Sequence, residues 1–169
     1  MTLFDLKGRR ALVSGASRGL GLQMAGALAR AGADLVITAR DVASLEEPRR
    51  ELETYGHQVD VVALDLQYED SICEAVEKAT ASGSVDILLN NAGCNIRKPA
   101  MDVRWKDWNT ILDTNLRGMF FMTQCVVRSM LLRKSGRVIN IGSVTSVFGY
   151  AGLGPYCASR GGVKQLTMS

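Results

Sequence analysis

At 169 residues the chain is long enough for one domain with a substantial apolar core, and 47% hydrophobic with 22% charged residues excludes disorder. Its 20 basic and 17 acidic residues give a formal charge of +3 and are spread along the chain, with no basic block to track a nucleic acid. No apolar run reaches the roughly 20 residues of a membrane helix, and Met1 to Arg10 mixes charges where a secretory signal would be apolar, so a cytoplasmic protein is expected.

In chain order, the Leu/Val-rich run Arg10 to Ser14 predicts a buried strand. Helical spacing of Leu20, Met24, Ala27 and Leu28 follows, then a second strand over Asp34 to Ala39. Leu45, Leu52 and Tyr55 mark another helix, with Ser44 and Glu47 spaced for reciprocal capping of its first turn. Val59 to Leu64 reads as the third strand. Ile72, Ala75, Val76 and Ala79 read as the next helix, started by Ser71 with Glu74. A fourth strand is expected over Val85 to Asn90 and a fifth over Arg137 to Gly142. Between them a long helix is expected from about Asp107 to Arg133, with Trp108, Leu112, Asn115, Met119, Met122 and Val126 along one stripe. A last helix begins near Tyr156. Strands alternating with helices and no linker-like segment predict one α/β domain built on a doubly wound parallel sheet.

Cys73, Cys94, Cys125 and Cys157 are far apart with no C-x-x-C pair, so no zinc site or redox dithiol is indicated and all four are expected to be small buried hydrophobes. His57, the only histidine, is expected in solvent. A His-based triad or metal cluster is thereby set aside, and no metal is expected.

Directly after the first strand comes Ser14, Gly15, Ala16, Ser17, Arg18, Gly19, Leu20, Gly21, opening the first helix. Gly15 allows a tight turn, Gly19 lets backbone N–H groups approach a pyrophosphate, and Gly21 permits close packing of helix on strand. The helix N-terminus then faces the anion. An acid that would bind the ribose diol of NAD is missing at the end of the second strand, since Thr38 and Ala39 are followed by Arg40. Arg18 and Arg40 could converge on a 2′-phosphate, so NADP(H) is favoured over NAD(H). Asp41 stands one place too late for the diol.

Moving hydride at a carbinol needs a group that exchanges the hydroxyl proton, and Tyr serves where a cation steadies its phenolate. Tyr156 and Arg160 have that relation: four residues advance about 6 Å and 40° along a helix, so both share a face. Ser143 lies just past the fifth strand.

The G-x-x-x-G-x-G turn, Asn90-Asn91-Ala92-Gly93, Ser143 and Tyr156-x-x-x-Arg160, in this order, resemble the short-chain dehydrogenase/reductase family. The resemblance implies a Rossmann-like domain over 1–169 and an oxidoreductase acting on CH–OH groups. It implies that Ser143 polarises the substrate oxygen, that Tyr156 is the acid/base and that Asn115 completes the proton path. Position 160, where the family has Lys, would bind the nicotinamide ribose and steady the tyrosinate. Here it is Arg160, which keeps the charge but does not release a proton near neutral pH. Ser17, Arg18, Leu20, Asp65 (toward the adenine amino group), Asn91, Ala92 and Gly93 fall among the implied cofactor contacts. Within the family, Asn95 to Pro99 and Arg117-Gly118 resemble gluconate 5-dehydrogenases and related sugar-acid reductases, which implies a small polar substrate such as a sugar acid. Members commonly run well past this length, so the domain is read as incomplete at its C-terminus, with later strands and a substrate-covering loop missing. A homo-oligomer is implied for a full-length form and not for this chain. The competing reading is a noncatalytic dinucleotide binder or inactive remnant.

Overall fold

A computed structural model describes residues 4–169. Its strands are β1 (Arg10–Ser14), β2 (Asp34–Ala39), β3 (Val59–Ala63), β4 (Ile87–Asn90) and β5 (Arg137–Asn140). All four pairings are parallel and the order is β3-β2-β1-β4-β5. The chain runs outward from β1 to β3, then returns to the other side of β1 to lay down β4. The connections therefore diverge at the C-terminal ends of β1 and β4, which opens a crevice there.

Among the described residues there are six α-helices: α1 (Gly19–Arg30), α2 (Glu46–Glu53), α3 (Glu69–Ala81) and α5 (Met119–Arg133) pack on the strands, while α4 (Trp105–Leu112) and α6 (Gly154–Met168) pack against each other. Every residue of β1 is buried, as a strand covered on both faces requires. Alternation along it feeds two cores. Ala11 and Val13 join Leu35, Ile37, Ala25 and Leu52 on the α1/α2 side, while Leu12 joins Val36, Leu88, Ile72 and Met122 on the α3/α5 side. Each fully buried Leu or Ile contributes about 1.5–3 kcal/mol of transfer free energy.

At the opposite end of the sheet a polar cluster holds β1 to β3. Arg10, with 8% of its side chain exposed, pairs with Asp60, which also accepts from Gln58. Burial raises the Asp60 carboxyl, and the hydrogen bonds from Gln58 and Arg10 overcome this and hold it below the ordinary carboxylate range.

Several expectations are corrected. The Asp41 carboxylate, not Ser44, caps the turn leading into α2: it accepts from the Ala43 N–H at 3.0 Å, and the Ser44 hydroxyl donates to the Asp41 carbonyl. Likewise α3 begins at Glu69, because the Ser71 hydroxyl accepts from the Asp65 N–H instead of capping the helix. Strands β3, β4 and β5 are each shorter than the apolar runs that signalled them. No cysteine is fully buried: Cys73 is exposed and Cys94, Cys125 and Cys157 are half-buried. His57 is half-buried, not fully exposed. The long helix is interrupted by a wide π-turn at Asp113–Gly118, so Ile111 is buried ahead of it while Trp108 is 44% exposed. A single stripe assumes one unbroken pitch, and the wide turn changes the register between its two halves.

Candidate active site

A crevice of about 400 Å³ opens at the divergence point between β1 and β4. Its floor is the glycine turn. Gly15 has φ +68°, and a Cβ there would press on Ala92; a Cβ on Gly21 would run into the Gly15 carbonyl and the Asn91 carboxamide. Close approach of α1 to the β4 turn thus depends on two residues without side chains. Gly19, also at positive φ, faces open space. Helix α1 starts there with no side-chain cap and no acid in its first turn, so its leading N–H groups point at the crevice without a side-chain partner.

The opposing wall is the β4 turn. Asn90 donates to Thr123 Oγ1 and, across the ladder, to Asn140 Oδ1, which ties β5 to β4. Asn91 donates to the carbonyls of Ser14 and Gly15, while the Ser14 hydroxyl accepts from the Asn91 and Ala92 N–H groups. Every donor and acceptor used here is internal, so the two turns behave as one rigid unit. Arg18, Arg40 and Asp65 complete the far end of the crevice. The two arginines are exposed and enter no ion pair among the described residues. Asp65 is half-buried and accepts from the Gln67 N–H.

Of the remaining predicted residues, Asn115 and Arg160 lie beside Gly93 and Tyr156 lies against Arg160, while Ser143 sits on the turn after β5 that α6 packs on. Asn115, in the π-turn, is 1% exposed; its amide donates to the Cys94 carbonyl and to Ser159 Oγ, and its Oδ1 accepts from the Cys94 N–H at 2.8 Å. Arg160 is 7% exposed. Its Nη1 donates to the Ile141 carbonyl at 2.7 Å, its guanidinium lies 5.2 Å from the centre of the Tyr156 ring, and its Nε has no partner. A Cβ on Gly93 would come within 2.5 Å of Arg160 Nη2 and 3.1 Å of Asn115 Oδ1. The Ser143 hydroxyl accepts from Thr145 twice, from its N–H at 3.2 Å and its hydroxyl at 2.9 Å, which leaves the Ser143 proton free to donate. Helix α6, started by Pro155, packs on the turn that carries Ser143.

The structure therefore brings Gly15, Ser17, Arg18, Leu20, Gly21, Arg40, Asp65, Asn91, Ala92 and Gly93 to one crevice, with Gly19 at its rim and Asn115 and Arg160 behind Gly93. Sequence reasoning missed Ser159, Cys94 and Thr145. Ser159 alone carried a signal, since it lies between Tyr156 and Arg160 on the same helix turn. Arg97 and Lys98 differ from simple solvated charges: Lys98 pairs with Asp107 at 2.6 Å, and Arg97 lies over the Tyr150 ring. That Lys98 bond, followed by one from the Arg104 N–H, holds the Asp107 carboxyl below its ordinary range.

The family model described as "short chain dehydrogenase" matches residues 9–169. The chain belongs to the short-chain dehydrogenase family. It is 40% identical over 166 residues to gluconate 5-dehydrogenase of Gluconobacter oxydans, covering 98% of this chain and 65% of that protein. It is 39% identical to a 3-oxoacyl-acyl-carrier-protein reductase of Vibrio cholerae, covering 98% of this chain and 67% of the relative. Among solved structures it matches a gluconate 5-dehydrogenase from Burkholderia cenocepacia in complex with NADP and tartrate at a TM-score of 0.91 and 37% identity, covering 97% of this chain and 65% of that one. The chain thus spans about two thirds of the length of these dehydrogenases and reductases. Among the described residues no group of His, Cys, Asp or Glu could hold a metal ion, and no helix is long and apolar enough to cross a membrane.

Proposed function

We propose that the protein is an NADP(H)-dependent oxidoreductase that interconverts a hydroxyl and a keto group on a small polar substrate such as a sugar acid. The observation that carries this is the buried Arg160 guanidinium stacked on Tyr156 directly behind Gly93, where the dinucleotide crevice ends. The bound dinucleotide supplies or accepts the hydride. The glycine cradle fits it, because Gly15 and Gly21, with no room for a side chain, keep the N-terminus of α1 close against the β4 turn at the crevice floor.

Within this reading the first-turn N–H groups of α1 hold the pyrophosphate. Arg18 and Arg40 grip the 2′-phosphate, while Asp41 is committed to capping the following turn and does not compete. Asp65 meets the adenine amino group, and Asn91, Ala92 and Gly93 line the sugar side. The Tyr156 hydroxyl gives or takes the proton of the substrate oxygen, the free Ser143 proton donates to that oxygen, and Arg160 keeps a fixed positive charge beside Tyr156 and would hold the nicotinamide ribose. Asn115 holds the Cys94 backbone in place and completes the proton path. Arg97, stacked on Tyr150, gives a carboxylate substrate a cationic partner. Support for the sugar acid and for NADP comes from the gluconate dehydrogenases described above, one of them crystallised with NADP.

The decisive experiment is Tyr156→Phe assayed with gluconate and 5-ketogluconate alongside nucleotide titration. Turnover should fall at least a hundredfold while NADPH affinity stays within about twofold. Undiminished turnover rejects the mechanism; nucleotide binding by a wild-type protein that never turns over favours the noncatalytic binder.

A further inference from the structure

Ser159 is fully buried, one residue before Arg160 and three after Tyr156. Its hydroxyl donates to the Tyr156 carbonyl at 2.7 Å and accepts from the Asn115 amide at 3.1 Å. The second Asn115 N–H bond goes to the Cys94 carbonyl, and Oδ1 closes the loop on the Cys94 N–H. All four bonds join protein groups. They run from the crevice wall at Cys94, through the π-turn, into the first turns of α6. The next residue, Arg160, ties α6 to Ile141, just past β5.

A serine hydroxyl bonding back to a carbonyl three residues earlier competes with the helix's own ladder and sets the local bend of its first turns. Here the bonded carbonyl is that of Tyr156. We infer that Ser159 is a positioning residue for the reaction: its hydroxyl fixes the Tyr156 backbone relative to the crevice wall, so that the phenol is set by the same unit that seats the nucleotide. This rests on the reading of Tyr156 as the acid/base. It assigns no contact between Ser159 and substrate or cofactor.

Three variants test it in the full protein. Ser159→Ala removes both bonds. Ser159→Thr keeps the hydroxyl. Thr167→Val removes another α6 hydroxyl, one that joins Asn140 to the Val163 carbonyl two turns further on and serves as the structural control. The measurements are kcat and both KM values, NADPH affinity, and amide hydrogen exchange of the segment Tyr156 to Arg160.

Ser159→Ala is expected to lower kcat by about tenfold to a hundredfold, the scale of misplacing a reacting group by about 1 Å, with NADPH affinity and both KM values within about twofold. Exchange in Tyr156 to Arg160 should rise in Ser159→Ala and stay unchanged in Thr167→Val, and Ser159→Thr should recover most of the turnover. Wild-type turnover in Ser159→Ala, or a loss matched by Thr167→Val or by nucleotide affinity, overturns the inference. If the wild-type protein has no turnover at all, the proposed function fails while the exchange arm still decides the coupling: a rise confined to Ser159→Ala supports it, and no rise overturns it.

Discussion

Gly21 leaves no room for even a methyl group, because its missing Cβ would overlap the Gly15 carbonyl and the Asn91 carboxamide. Gly21→Ala should destabilise the fold by about 1–3 kcal/mol and weaken nucleotide binding together, since α1 must back away from β1. Gly161→Ala is the contrast: nothing lies within 4 Å of that position, so a better helix former should raise stability by about 0.5–1 kcal/mol. Paired thermal melts check both, and equal melting temperatures would remove the close-packing argument. Glycine could be read correctly from the chain because its spacing after a strand has few physical meanings. Ser44 and Ser71 could not, because a hydroxyl ahead of a glutamate takes whichever partner the tertiary fold brings nearest. For Ser71 that partner was the Asp65 amide, and for the turn before α2 the Asp41 carboxylate took the role. The burial of Arg160 was equally hidden, since a charge on a helix face reads as solvated until β5 is placed beneath it.

Elements joined by buried charge respond to pH. Asp60 titrates below its ordinary value, so its contribution to stability is complete above about pH 4 and is lost as pH falls through the lowered value. Denaturant midpoints taken between pH 7 and pH 3 should drop more steeply in wild type than in Asp60→Asn, and parallel slopes would contradict this. At pH 7 the same substitution should cost about 2 kcal/mol, because it leaves the Arg10 guanidinium buried beside a neutral group. At the C-terminal end of α5, Lys134 adopts φ 52° and ψ 30°, a left-handed conformation that taxes any residue with a Cβ. Lys134→Gly should therefore add up to about 1 kcal/mol in a urea titration, and a loss would show that the lysine side chain matters more than its backbone. The central strands β1, β2 and β4 were recoverable from apolar runs because strands covered on both faces are almost wholly apolar, and β3 and the edge strand β5 kept enough Val and Ile to be read despite Asp60 and Arg137. The π-turn was not, because Asn115 keeps a spacing of three or four to its neighbours whether the helix is regular or widened.

For the molecule as a whole, the doubly wound parallel sheet followed from alternating strands and helices, while its order β3-β2-β1-β4-β5 came only with the structure. What surrounds β5 did not. That strand is an edge, with Ile139 43% exposed, and Val147, Phe148 and Leu132 are also open to solvent. A polypeptide of these 169 residues alone is expected to self-associate with rising concentration, and Ile139→Lys should suppress this in sedimentation velocity runs. A concentration-independent monomer in both would show that the edge is not sticky.

The carboxylate at position 41 is already occupied. Because it closes the first turn after β2, turning it toward a sugar would give up the Ala43 N–H bond that caps that turn. Redesign toward the unphosphorylated dinucleotide would have to plant a new acid at position 40. Under the proposed NADP(H) reading, removing the positive charge of Arg18 and Arg40 alone is expected to weaken NADPH binding without strengthening NADH binding.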